Sequence, residues 1–206
     1  MQSLRNIFLI NCLAAIQQAL QDRPVAAPTV IKLGEALEMY ITGLVAGEVG
    51  SLLDQCGLRA KLVVMTRLAN ERGKAGKGKK VEGKEKVKES DEEGEEKVEE
   101  EKEEEEREEE VKDVPFSEVR GLDAAAVAES LKAFFALLSK NGGLSPELEL
   151  VQAPRLRGDA SGRMNRALVD AYQQVYNAVI DPANQYPQSR AMLRYAPDQL
   201  QTILGV

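Results

Sequence analysis

Forty-one residues near the middle of this chain, Arg72 to Lys112, contain almost nothing that a protein interior can use. Beyond Ala75, the apolar residues in the run are Val81, Val87, Val98 and Val111. Residues 74–88 carry seven Lys against two Glu, and residues 89–110 carry sixteen Asp or Glu against three Lys or Arg. The formal charge of −7 and the pI of about 5.0 therefore belong to this stretch, and the rest of the chain is close to neutral. Read as a helix, 89–112 sets about eleven like-charge i,i+4 pairs against about five opposite ones. At ~0.3 kcal/mol each, the imbalance costs roughly 2 kcal/mol, with no apolar stripe to offset it by docking. Glu is a good helix former, so transient helix is compatible with the run, but a fixed one does not follow. The sequence thus predicts three parts: N-terminal helices over 1–71, a disordered Lys/Glu-rich insert over 72–113, and C-terminal helices over 114–206.

Any fold must come from the two flanks, and their residue usage is aliphatic. The chain has 43% hydrophobic residues but only four Phe, five Tyr and no Trp, with Ala, Leu and Val dominant outside the insert. That usage predicts packed helices, an all-α bundle, rather than a β sandwich rich in aromatic and β-branched residues. Leu4, Ile7, Phe8, Leu13, Ile16 and Leu20 recur at helical spacing until Asp22-Arg23-Pro24 breaks the pattern. Apolar residues surround this first helix at Ile7 to Ile10, which predicts burial among other helices. A second stripe from Pro28 runs through Val30, Leu33, Leu37, Tyr40, Leu44, Val49, Leu52 and Leu53. Gly43, Gly47 and Gly50 weaken it by about 1 kcal/mol each relative to Ala, so it depends on packing, and small residues there admit a close neighbour. Gly57 marks a bend before a shorter helix, Leu58 to Ala69. Asp123 is placed to cap a helix carrying Val127, Leu131, Phe134 and Leu138, ended by Asn141-Gly142-Gly143. After a Pro-punctuated connection over 144–155, Met164, Leu168, Ala171, Tyr172, Val175 and Val179 share one face of a long helix that Asp181-Pro182 stops. Pro197 opens a terminal turn of helix through Leu204.

The chain has no histidine, which removes the commonest general base, the commonest neutral metal ligand and every Ser-His or Cys-His pair. No phosphate-binding Gly-rich loop, nucleophile elbow or Asp ladder replaces it. No catalytic, cofactor-binding or metal-ligating residue is nominated, and the chain is not expected to be an enzyme or to carry a cofactor. Cys12 and Cys56 lie in apolar helical surroundings without further ligands nearby, and are expected as free, buried thiols, although two cysteines can in principle pair. Ile7 to Ile16 after Arg5 superficially resembles a signal peptide, but Asn11 interrupts it, Gln17-Gln18 follow it, and no clean cleavage site succeeds it. No run approaches the roughly 18 to 20 apolar residues that span a bilayer, so a soluble or peripheral protein is expected.

The acidic tract is also compatible with a different class of function, an acidic chaperone or nucleic-acid-associated protein acting through its polyanionic run. The adjacent Lys74 to Lys88 has no aromatic residues for base stacking, and no nucleic-acid partner is expected. Tyr172, Tyr176 and Phe134-Phe135 fall on the apolar stripes and read as core. Tyr186 and Tyr195, outside the regular helices, read as anchors of the terminal segment.

Five stretches resemble one family. Arg5-Asn6-Ile7-Phe8-Leu9-Ile10-Asn11-Cys12-Leu13, Ser130-Leu131-Lys132-Ala133-Phe134-Phe135, Val175-Tyr176-Asn177-Ala178-Val179-Ile180, Asp181-Pro182-Ala183-Asn184-Gln185-Tyr186-Pro187 and Tyr195 to Leu204 occur in the right order. They resemble the C-terminal portion of subunit 6 of the conserved oligomeric Golgi complex, a vesicle-tethering assembly, in its plant form. The similarity covers about 4–69 and 114–206. The resemblance implies a rod of helical bundles on the cytoplasmic face of the Golgi membrane, peripherally associated, working with sibling subunits, SNARE proteins and small GTPases in intra-Golgi retrograde transport. It supplies no short binding motif, so the partner-binding surface stays open. Because the family subunit is longer, the resemblance also implies a C-terminal fragment or truncated product, with an insert that the family's role does not cover.

If the charged run is unstructured, limited proteolysis of the native protein should cut first between Gly73 and Val114. Protection of that stretch relative to the flanks would count against the assignment.

Overall fold

In the computed structural model, which describes residues 2–77, 114–141 and 145–206, the chain is helical and no strand occurs among the described residues. Among the described residues seven α-helices follow in order: α1 (Gln2–Leu20), α2 (Ala27–Gln55), α3 (Leu58–Lys77), α4 (Ala124–Asn141), α5 (Pro154–Ile180), α6 (Ser189–Met192) and α7 (Pro197–Leu204). Short 3-10 turns at Pro24–Ala26, Phe116–Glu118, Leu148–Leu150 and Pro182–Asn184 join or flank them.

The boundaries follow local chemistry. Pro28 sits in the first turn of α2, where a missing N–H costs nothing. Asp123 caps α4, its Oδ1 accepting from the Ala126 N–H at 3.0 Å. The α2–α3 corner needs Gly57, which has φ +70 and would bring a Cβ to 3.4 Å from Ser130 Oγ. At the end of α5, the Asp181 carboxylate accepts from Ala183 N at 3.0 Å and so caps the next 3-10 turn.

Two long helices organise the interior. α2 contacts α1, α3, α4 and α5, while α5 contacts α2, α3, α6 and α7. The whole expected stripe of α5 is buried: Met164, Leu168, Ala171, Tyr172, Val175 and Val179. Tyr172 stacks on Phe134 with ring centroids 6.1 Å apart, and Phe135 meets both rings edge-on at 5.4 Å. α1 lies against the small residues of α2: a Cβ at Gly43 would meet Asn6 Nδ2 at 3.4 Å, and one at Gly47 would meet Ser3 Oγ at 3.9 Å. The glycines cost helix propensity and return close approach.

Four expectations change. α3 runs past Ala69 to Lys77, so the expected start of the insert at Arg72 falls inside a helix; the rest of the insert lies outside the described residues, as does most of the Asn141-Gly142-Gly143 stop. α1 is not enclosed: Leu4, Phe8 and Ile16 are 59%, 67% and 49% exposed. The reason is position, since α1 sits at the edge with α2 on one side. Cys12 on that helix is only half-buried, whereas Cys56 is buried; both are free. Finally, Pro24–Gln55 is long and apolar enough by length and composition to cross a membrane. From Leu37 onward most of its apolar residues meet neighbours on several sides, whereas Val25, Ile31 and Met39 are exposed. Leu37, Ile41, Leu44, Val45, Leu52 and Leu53 are buried within the bundle. So is Glu48, whose carboxylate accepts from Ser145 Oγ at 2.6 Å.

Val175 is fully buried at the middle of the α5 stripe. Val175→Asp should therefore cost several kcal/mol, a large share of a total typically near 5–15 kcal/mol, because the carboxylate finds no partner there. Urea unfolding followed by circular dichroism should show a shifted midpoint or no cooperative transition.

Candidate protein-interaction site

Among the described residues, no group of three or more His, Cys, Asp or Glu side chains is placed to hold a metal ion. Several polar side chains converge instead on backbone carbonyls and fasten loops and chain ends to the helices.

The largest such arrangement holds the segment after α5. Gln185 and Gln188 both take left-handed backbone conformations, φ 53 and 54, and reverse the chain. Tyr186, buried, donates its hydroxyl to the Leu122 carbonyl at 2.8 Å. Tyr172 donates to the Tyr195 carbonyl, and the Tyr195 ring packs edge-on against Phe135 at 5.3 Å. Asn165 Nδ2 donates to the Leu204 carbonyl at 2.9 Å and ties down the end of α7. The two loop tyrosines are thus anchors, as their positions among prolines predict. Tyr172 also reads correctly as core, while Tyr176 is half-buried. Burial pushes the phenols of Tyr172 and Tyr186 up to about 12.

A second convergence centres on Arg72. Its guanidinium donates to Asn184 Oδ1 at 2.7 Å and to the Val114 carbonyl at 2.5 Å, and lies 4.5 Å from the centroid of the Phe116 ring. Asn184, buried, donates in turn to the Ala178 carbonyl at 2.8 Å. One side chain therefore joins the end of α3, the start of the C-terminal half and the turn after α5. An open cavity of 480 Å³ lies beside it, lined by Met65, Asn70, Phe116, Gln174 and Asn177 among others.

The third feature is α1. Asn11 fastens it at one point, its Nδ2 donating to the Leu150 carbonyl at 3.0 Å and its Oδ1 accepting from Gln152 N at 2.9 Å. Its opposite face is apolar and uncovered among the described residues. Arg72, Asn184 and Asn11 are the residues that sequence reading does not find. Arg72 opens a run of charged residues and looks like one of them; Asn11 looks like an interruption in an apolar stretch, which is the only trace it leaves.

The raised phenols carry a pH signature. Each neutral hydroxyl stabilises the fold in full below about pH 10, the ordinary phenol value, and that contribution is lost as pH rises through about 12. Unfolding free energies from urea titrations should thus fall more steeply between pH 10 and 12 in the parent than in Tyr172→Phe/Tyr186→Phe. The double variant should also lose about 1 kcal/mol per bond at neutral pH. Equal slopes would show that the phenols are not held neutral by the fold.

Comparison with known proteins matches residues 2–204 to the model of a family described as conserved oligomeric Golgi complex subunit 6, C-terminal. A subunit 6 of that complex from Arabidopsis thaliana is 34% identical over 200 residues, covering 97% of this chain and 23% of the relative. Its counterpart in Dictyostelium discoideum is 23% identical over 201 residues, 96% of this chain and 24% of the relative. The Bos taurus subunit is 27% identical over 96 residues, 46% of this chain and 15% of the relative. The chain spans about a quarter of the length of the first two relatives. No solved structure matches it. With helices, stops and the anchored C-terminal segment all inside the matched range, the chain belongs to the family of the C-terminal region of conserved oligomeric Golgi complex subunit 6.

Proposed function

We propose that this chain serves as the C-terminal helical part of a Golgi vesicle-tethering subunit and works by binding proteins, not by catalysis. The observation that carries this reading is the family match over residues 2–204, nearly the whole chain. The architecture supports it, because α-helices with anchored loops present stable surfaces without a reactive cluster. In this reading 1–71 and 114–206 form one bundle, and 72–113 is an insert into it. The partners are sibling subunits of the oligomeric Golgi complex, with SNARE proteins and small GTPases engaged by the assembled complex. The site of action is the cytoplasmic face of the Golgi membrane, peripherally bound, in support of intra-Golgi retrograde transport and Golgi organisation. An acidic chaperone or nucleic-acid-associated role through the polyanionic tract is not supported, since the family and the relatives that match are those of subunit 6 of the Golgi complex.

The test is rescue of glycosylation in cells lacking subunit 6, using the Arabidopsis subunit with its matched C-terminal region replaced by this chain. A form with residues 78–112 deleted and replaced by a shorter flexible Gly/Ser linker should rescue, because shortening a flexible connection changes closure entropy only logarithmically. The Val175→Asp form should fail and should not co-purify sibling subunits. Rescue by Val175→Asp with failure of the deleted form would place the activity in the charged run and overturn the proposal.

A further inference from the structure

α1 is apolar on two opposite faces, and α2 covers only one of them. On the outer face Leu4, Phe8, Cys12, Ala15 and Ala19 follow at steps of three and four residues, with Ile16 beside Ala15; all are exposed except the half-buried Cys12. At ~1.5 Å per residue, this stripe runs for about 22 Å, four turns. The one charged residue on α1, Arg5, is exposed and falls on the same face toward Ile16, leaving the rest of the stripe apolar. A solvated helix face carries polar residues, whereas a seam repeating at threes and fours is what a second helix packs against. The geometry points to a docking surface for one helix.

We propose that in a full-length subunit of this family the outer face of α1 is covered by a helix from the part of the same polypeptide that precedes the matched region. Two observations select this occupant over a second copy or another chain. A single four-turn stripe is small beside the ~800 Å² per partner that a stable interface between separate chains buries. A helix in the same polypeptide is delivered at an effective concentration near millimolar and needs no such area. In addition, the match occupies 23% of the Arabidopsis relative and 24% of the Dictyostelium one and is their C-terminal portion, so most of those chains lies ahead of the segment that α1 begins. The inference rests on family membership alone and stands or falls separately from the transport role.

The experiment places p-benzoylphenylalanine at position 8 of the Arabidopsis subunit carrying this chain as its C-terminal region, and maps photo-crosslinks by mass spectrometry. The expected product is an intrachain crosslink to the preceding Arabidopsis segment, with none from the same probe at exposed Lys132 of α4. Crosslinks to a second copy or a sibling subunit, or none at all, overturn the proposal. Sedimentation of the isolated chain supplies an independent reading that does not require the chimera to fold. A monomer whose melting temperature is unchanged by Phe8→Glu is expected, and a dimer dissolved by Phe8→Glu assigns the face to a second copy and overturns the proposal.

Discussion

The pairing of α2 with α5 is the constraint on which the remaining structure depends. Each helix is long, each has a buried apolar stripe, and every other helix of the bundle touches at least one of the two. Against α5 the aromatic cluster of Phe134, Phe135 and Tyr172 fixes α4, and the same Tyr172 hydroxyl reaches out to hold the loop before α7. Against α2 the glycines at 43 and 47 let α1 come close. An aliphatic core with three Phe and no Trp has few large rings to specify a unique packing. Concentrating three of its aromatic side chains at one crossing supplies that specification.

The order of the C-terminal segment has a different physical origin. Between α5 and α7 the backbone is largely irregular, and irregular backbone near a core must find partners for its carbonyls and amides. Side chains projected from the regular helices supply them: Tyr172 and Asn165 from α5 reach forward to Tyr195 and Leu204, while Tyr186 reaches back to Leu122. The tail is held by hydrogen bonds exchanged between it and the rest of the bundle, with modest apolar help from Pro197 and Leu200.

Most of this architecture could be read from the sequence where the signal was periodic or punctuated. The α5 stripe from Met164 to Val179, the cap at Asp123, the bend at Gly57 and the stop at Asp181-Pro182 each express a local rule, and each stands where the rule puts it. What escaped was relational. Periodicity says that α1 is apolar around its circumference but not which face finds a neighbour, so Leu4, Phe8 and Ile16 looked as buried as Ile7 and Ile10. The continuation of α3 beyond Ala69 was hidden because its last turns carry Lys and Gly in place of apolar residues, and helix can persist there by extension from a docked segment. Arg72 and Asn11 form their bonds across 42 and about 140 residues of sequence, distances over which no local pattern operates. The interaction surface was not legible at all, since an uncovered face shows only after the covered ones are known.

Arg72 holds Val114 by its carbonyl, so the described segments on either side of residues 78–113 are tied together at one side chain. A stretch of chain tied off in this way is thermodynamically a side branch: doubling its length adds only about 0.6 kcal/mol of closure entropy. Replication slippage in the Glu and Lys codons of such a run would alter the protein's size and isoelectric point while leaving the helices unaware of it. The guanidinium is in that sense a clasp, across which the length and charge of the joining chain can change at little entropic cost to the helices it ties together.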